Sequence, residues 1–171
     1  MQGKARLLGH SVHQMLVVFP LGLLATAVVF DLIHIGTGRP LMAVVCFWMM
    51  AAGLVGGLLA APFGWIDWTS IPKGTRAKSV GLTHGLGNVL VLLLFVVSWL
   101  LRRPAPEAPA MLAHALSFLG AGLALFTAWL GGELVARLGV GVYDDAGPDA
   151  PSSLHAARVP SHGQRSTTAV R

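Results

Sequence analysis

Charged side chains are scarce in this chain. Only 11% of its 171 residues are Asp, Glu, Lys or Arg, against ~25% in a typical soluble domain, whereas 54% are hydrophobic. The single cysteine, Cys46, excludes an internal disulfide and a CxxCH site for covalent haem attachment. The sequence also has no phosphate-binding loop and no recognisable pairing of a nucleophile with a base, which favours a role other than an enzyme. The Lys and Arg residues are scattered in connectors and form no basic helix face, so nucleic acid is not expected as a partner.

Four long apolar stretches dominate the chain: Leu16–Phe30, Leu41–Ile66, Val80–Leu101 and Ala110–Gly132. Each approaches or exceeds the ~20 apolar residues that cross a bilayer as a helix. We therefore predict an all-α integral membrane protein in contact with lipid, a four-helix bundle with short connectors that fills one domain over 1–143. The helices are expected at about 12–35, 40–67, 79–102 and 110–138. From residue 144 onward Pro, Ser, Gly, Asp and Arg predominate without apolar periodicity, which predicts a disordered polar tail over 144–171.

The basic residues near the spans predict the orientation. With four spans, both termini share one side with the connector 67–79, and that side carries Lys4, Arg6, Lys73, Arg76, Lys78 and Arg137. The other side has Arg39, Arg102 and Arg103. Because positive residues favour the cytoplasm, we predict that both termini are cytoplasmic.

Polar side chains in and beside the spans fall at two depths. The end of the bundle that holds both termini has His10, His13, Asp67, His84, Asn88 and Glu133, and the opposite end has Asp31, His34 and His114. Because ionisable groups are costly in a bilayer, they usually face the bundle interior and are candidates for function. His84 and Asn88, four residues apart, share a face of a helix with ~3.6 residues per turn. We predict that the first set converges in one interior pocket and that the second forms a thinner outer cluster.

Plainer interpretations stay open for several of these residues. His10 can lie in solvent or among lipid headgroups. Glu133 is four residues before Arg137, a spacing that makes an ion pair on a helix surface. Asp67 lies between Trp65 and Trp68, and such aromatics mark the membrane interface. Asp31 can simply end the first helix near the headgroups.

Small residues and proline predict how the helices pack. In lipid, helices associate through close backbone approach, which small residues spaced four apart allow. Such series occur at Gly53/Gly57/Ala61, Gly81/Gly85 and Gly120/Ala124/Ala128/Gly132. Pro20 removes a backbone donor and crowds the carbonyl of Leu16, which predicts a kink in the first helix.

Several dispersed motifs resemble a family of bacterial predicted membrane proteins known as domain of unknown function 2231. The motifs run from Gly9-His10-Ser11-Val12-His13 through Phe19-Pro20 and Phe30-Asp31 to Gly64-Trp65-Ile66-Asp67-Trp68, Thr83-His84-Gly85-Leu86-Gly87-Asn88 and Gly131-Gly132-Glu133. Ser11 stands where many relatives have a proline, and Val18 where they have a third histidine. The resemblance implies a four-helix protein of the bacterial inner membrane without assigned chemistry, and some relatives are fused to redox modules.

Three classes of function are compatible with these residues. In a membrane protein that binds b-type haem, His13 and His84 are the axial ligands, with Asp67, Asn88 and Glu133 around them, and His34 with His114 is the outer equivalent. A site for a transition metal or another ion would draw on His10, His13, His84, Asp67 and Glu133. In a structural or accessory subunit, the polar residues hold the helices in register. We favour the last class, with a homo-oligomer or a membrane redox partner as the expected association.

Overall fold

A computed structural model describes residues 3–154 of the chain. Within them lie four helical segments long and apolar enough to cross a membrane: Val12–Thr37, Pro40–Ser70, Arg76–Arg102 and Met111–Arg137. We call them spans 1 to 4. They confirm the prediction of an all-α membrane bundle of four helices. Spans 1 and 3 run in one direction and spans 2 and 4 in the other. Span 1 therefore begins at the same end of the bundle at which span 4 ends, and we call this the terminal end and the opposite one the distal end.

Span 1 is interrupted close to its beginning. It consists of α1 (Val12–Leu16) and α2 (Val18–Thr37), separated at Val17. Pro20 accounts for the break, because it has no N–H to donate to the carbonyl of Leu16 and its ring crowds that oxygen. This is where the sequence predicts a kink.

Spans 2 and 3 begin with ordinary helix N-termini, and span 4 ends in an irregular turn. Span 2 is α3 (Pro40–Ser70), which starts with a proline at its first turn, and span 3 is α4 (Arg76–Arg102), capped by the Thr75 hydroxyl, which accepts from the Lys78 amide. Span 4 consists of α5 (Met111–Gly132) and a π-helical turn (Glu133–Arg137). The amide of Leu138 closes that turn by donating to the carbonyl of Glu133 at 3.0 Å.

The spans pack as two antiparallel pairs. The most extensive contacts join span 1 to span 2 and span 3 to span 4, and span 2 also packs on span 3. The buried core between the pairs consists of Leu24, Ala27, Cys46, Met50, Leu54, Val91 and Phe95. Large apolar side chains such as Trp48 and Leu125 point outward, where a bilayer supplies their solvent.

The small-residue series mark the interfaces only in part. Gly53, Gly57 and Gly120 are buried against neighbouring helices, as predicted, whereas Ala128 and Gly132 are exposed. The reason is rotational: four residues advance a helix by ~40° more than one full turn. A series of four small residues therefore winds off the interface that its first members occupy.

The segments that flank the four spans meet over the terminal end of the bundle. Two short strands, β1 (Arg6–Leu7) and β2 (His10–Ser11), form an antiparallel hairpin before span 1. The Tyr143 hydroxyl donates to the carbonyl of Gly9 at 2.6 Å, and the Arg6 guanidinium lies 4.2 Å from the centre of the Tyr143 ring. Residues 144–154 are mostly exposed, but Ser153 is half-buried and its hydroxyl donates to the carbonyl of Leu8 at 3.1 Å. Residues 155–171, most of the tail for which disorder is predicted, lie outside the described residues.

Candidate functional site

His13 joins span 1 to span 2. Its Nδ1 lies 3.0 Å from the carbonyl oxygen of Ala60. The imidazole reaches that carbonyl because it lies against Gly64, where an added Cβ would be only 2.8 Å from His13 Cε1. Since the carbonyl can only accept, Nδ1 is the donor in this contact, and in a neutral imidazole the lone pair is then on Nε2.

His84 joins span 3 to span 4 in the same manner. Its Nδ1 lies 2.9 Å from the carbonyl oxygen of Thr127, and an added Cβ at Gly131 would be 3.1 Å from His84 Cε1. Asn88 completes this contact: its Oδ1 accepts from the Thr127 hydroxyl at 3.1 Å, so its amide nitrogen faces His84 Nε2 at 3.3 Å. The imidazole of His84 is therefore held in one tautomer, with Nδ1 protonated.

Asp67 holds the segment that precedes span 1. One carboxylate oxygen accepts from the Ser11 hydroxyl at 2.8 Å, and the other accepts from the Ala5 amide at 3.2 Å. Asp67 thus ties the end of span 2 to the N-terminal hairpin.

Glu133 and His10 lie apart from the contacts made by His13, His84 and Asp67. Glu133 pairs with Arg76 at 2.8 Å across spans 4 and 3, instead of with Arg137 along its own helix. The side chain of Arg76 is 62% exposed and that of Glu133 is 20% exposed. His10 is exposed within β2.

The terminal-end residues therefore form separate hydrogen-bonding groups. His84 and Asn88 share one group, while His13, Asp67 and Glu133 each bond to a different partner. Among residues 3–154, no three His, Cys, Asp or Glu side chains are arranged to hold a metal ion.

The distal end contains the more deeply buried polar cluster. Asp31 of span 1 and Arg102 of span 3 are both fully buried, and the guanidinium donates to both carboxylate oxygens, at 2.6 and 2.7 Å. The Ser117 hydroxyl of span 4 donates to the same carboxylate at 2.9 Å, and Cys46 Sγ of span 2 lies 3.6 Å from the guanidinium. Arg102 also donates to the Ser98 hydroxyl at 3.3 Å. All four spans therefore meet at one ion pair, which we call the distal ion pair.

His114 and His34 continue this cluster toward the surface. His114 is 5% exposed, and its Nδ1 lies 3.3 Å from an oxygen of Asp31 but outside hydrogen-bonding geometry. Its ring stacks on that of half-buried His34, with the ring centres 5.9 Å apart, and His34 Nδ1 faces the carbonyl of Arg39. Asp31, His34 and His114 thus lie together, and Asp31 belongs to the buried interior instead of merely ending a helix near the headgroups.

Arg102 is the residue that sequence reasoning misses. It stands next to Arg103 and two residues before Pro104-Ala105-Pro106, so it looks like part of an exposed connector. The available signal is Asp31, because a buried carboxylate needs a cationic partner at the same depth, and Arg102 is a basic residue at the distal end of another span.

Comparison with known proteins gives one match. Residues 9–144 match the model of a family described as "Predicted membrane protein (DUF2231)", and this range includes every residue of both polar clusters. No curated protein and no solved structure matches the chain. The contacts described above are therefore the basis for inferring a function.

Proposed function

The chain belongs to the DUF2231 family of predicted membrane proteins, and from that premise we propose that it is a structural or accessory subunit of the bacterial inner membrane. The observation that carries this proposal is the distal ion pair. Its two charges are fully buried and cancel one another, and hydroxyl groups fill much of their remaining hydrogen-bonding capacity. Polar groups arranged in this way hold helices in one register.

The terminal-end contacts support the same proposal. His13 bonds to a backbone carbonyl of span 2, and His84 bonds to one of span 4. Asp67 binds the N-terminal segment, and Arg76 with Glu133 links spans 3 and 4. Each of these side chains joins one part of the chain to another, which is what a scaffold requires.

Purification from the native membrane tests this function. The full-length protein, tagged and extracted in mild detergent, is expected to elute as a homo-oligomer or with a membrane partner in constant proportion. Size-exclusion chromatography with light scattering measures the mass of the complex, and mass spectrometry identifies its components. A monomer that retains a tightly bound chromophore would contradict an accessory role.

We further propose that both termini are cytoplasmic. Arg102 has its charge neutralised inside the bundle, so Arg39 and Arg103 are the exposed basic residues near the distal end of the described chain. The terminal end exposes Lys4, Lys73, Arg76 and Arg137. Exposed basic residues therefore remain more numerous at the terminal end, four against two, which favours that end for the cytoplasm.

One observation favours b-type haem or a transition metal as a second candidate. His13 and His84 each present Nδ1 to a carbonyl oxygen, which in a neutral imidazole leaves the lone pair on Nε2. Histidines that bind metals are arranged in this way. These two residues fit the role of axial ligands to haem, provided that Asn88 releases its contact with His84 Nε2. A bound haem would supply transfer of single electrons.

An absorbance spectrum with metal analysis separates the two candidates. If haem is bound, the purified protein shows a low-spin Soret band, which His13→Ala and His84→Ala each abolish and which His10→Ala leaves in place. A metal site shows stoichiometric zinc or iron without that band. Neither signal is expected from a purely structural subunit.

A further inference from the structure

The two antiparallel helix pairs repeat the same contacts. We call spans 1 and 2 the N-hairpin and spans 3 and 4 the C-hairpin. His13 bonds to the carbonyl of Ala60 in the first, as His84 bonds to that of Thr127 in the second. In both hairpins the ring lies over a glycine four residues after that carbonyl.

The two hairpins also have matching contacts at a second pair of glycines. Gly53 lies against Leu23 and Leu24, and Gly120 lies against Leu94 and Phe95. In spans 1 and 3 the matching residues are 71 apart, and in spans 2 and 4 they are 67 apart. Pairs at these offsets also share their burial: Ala27 matches Ser98, Cys46 matches Ala113, and Met50 matches Ser117, all of them buried.

Matching contacts at fixed offsets indicate two structural repeats. Because spans 1 and 3 run in the same direction, the repeats are related by a pseudo-two-fold axis along the bundle. Asp31 and Arg102 are also 71 residues apart. The distal ion pair is therefore formed by two equivalent positions that face one another across the axis.

The two halves of this pair have different surroundings. The C-hairpin has Ser98 where the N-hairpin has Ala27, Ser117 where it has Met50, and His114 where it has Phe47. Three polar groups beside the carboxylate come from the C-hairpin, namely the guanidinium of Arg102, the hydroxyl of Ser117 and the imidazole of His114, whereas the N-hairpin contributes the thiol of Cys46. Arginine in a bidentate geometry is the side chain best matched to a carboxylate.

We infer that the C-hairpin carries a carboxylate-binding socket, formed by Arg102, Ser117 and His114, and that Asp31 occupies it as an internal ligand. His114 Nδ1 is buried, unpartnered and 3.3 Å from the carboxylate, so the socket offers a further donor when this imidazole is protonated or changes tautomer. Occupation of the socket joins the two hairpins. When the Asp31 side chain is truncated, the socket binds a small free carboxylate.

Chemical rescue tests the socket. Asp31→Ala removes one carboxyl group, which formate and acetate can replace. In the full-length protein in detergent, sodium formate is expected to raise the Tm of this variant by several degrees more than sodium chloride of equal ionic strength. The rise saturates with concentration, as ligand binding requires. Benzoate, which is too large for the space of one carboxyl group, gives no such rise.

Two controls distinguish binding in the socket from a general salt effect. The wild-type protein has its socket filled by Asp31, and Asp31→Ala/Arg102→Met lacks the guanidinium, so neither responds to formate more than to chloride. Equal effects of formate and chloride on Asp31→Ala would overturn the proposal, as would the same formate response in the double variant. If Asp31→Ala is not monodisperse, its recovery during extraction with and without formate is compared: recovery that depends on formate supports the socket, and failure in both overturns it.

Discussion

Replacing Arg102 by methionine removes one half of the distal ion pair and leaves the other half in place. Methionine retains much of the side chain's length and apolar contact without the guanidinium. The carboxylate of Asp31 stays fully buried and keeps the hydrogen bond from Ser117 at 2.9 Å, but loses the two from Arg102. An uncompensated carboxylate in such surroundings is strongly destabilising.

The expected loss of stability in Arg102→Met follows from the burial of both Asp31 and Arg102. Breaking a buried ion pair by removing one member costs ~3–5 kcal/mol. For a chain of this size, each kcal/mol lowers Tm by ~2–4 °C. Arg102→Met is therefore expected to lower the Tm in detergent by on the order of 10 °C.

Tryptophan fluorescence during heating, together with size-exclusion chromatography after heating, measures this change. Arg76→Met is the matched control, because it breaks the exposed ion pair with Glu133, and such pairs contribute ~0–1 kcal/mol. The double variant Asp31→Leu/Arg102→Met should regain most of the lost stability, since it leaves no unpaired charge. If Arg102→Met and Arg76→Met lower Tm equally, or if the double variant is less stable than Arg102→Met, the distal ion pair does not hold the bundle as we argue.

Three further predictions concern packing, topology and cofactors. Gly64→Ala should lower Tm, because its new methyl group would lie 2.8 Å from His13 Cε1, whereas Gly132→Ala has open space and should leave Tm unchanged or slightly raised; equal effects would contradict the close approach of His13. A reporter enzyme fused after Arg171 should be active in the cytoplasm and one inserted at Ala105 should be active outside, and reversed activities would invert the proposed orientation. Purified protein should lack a Soret band if the chain is only structural, and a band lost in His13→Ala would instead establish the haem alternative.

The fold is largely predictable because a bilayer imposes a length on every span. Apolar stretches of sufficient length reveal the number of helices, and Pro20 marks the break at Val17. What hydropathy does not reveal is the rotation of each helix about its axis. His13 and His84 each turn Nδ1 to a carbonyl of the adjacent span, which depends on this rotation.

The distal ion pair shows a second limit of sequence reasoning. Asp31 is recognisable as a polar residue inside a span, but the identity of its partner depends on which two helices lie diagonally across the bundle. The repeat that places Arg102 opposite Asp31 is also hard to see in the sequence. Its matched positions rarely share a residue, and pairs such as Gly53 and Gly120 are too few to stand out from a composition rich in glycine.

The distal ion pair also determines the order in which the membrane protein can mature. Asp31 leaves the ribosome 71 residues before Arg102. At a synthesis rate of ~5–20 residues per second, roughly 4–14 s therefore pass between the synthesis of Asp31 and that of Arg102. During this interval spans 1 and 2 must remain loosely associated or be sheltered by the insertion machinery, since Asp31 has no guanidinium to accept from. The final packing of the first half of the chain thus depends on the synthesis of the second.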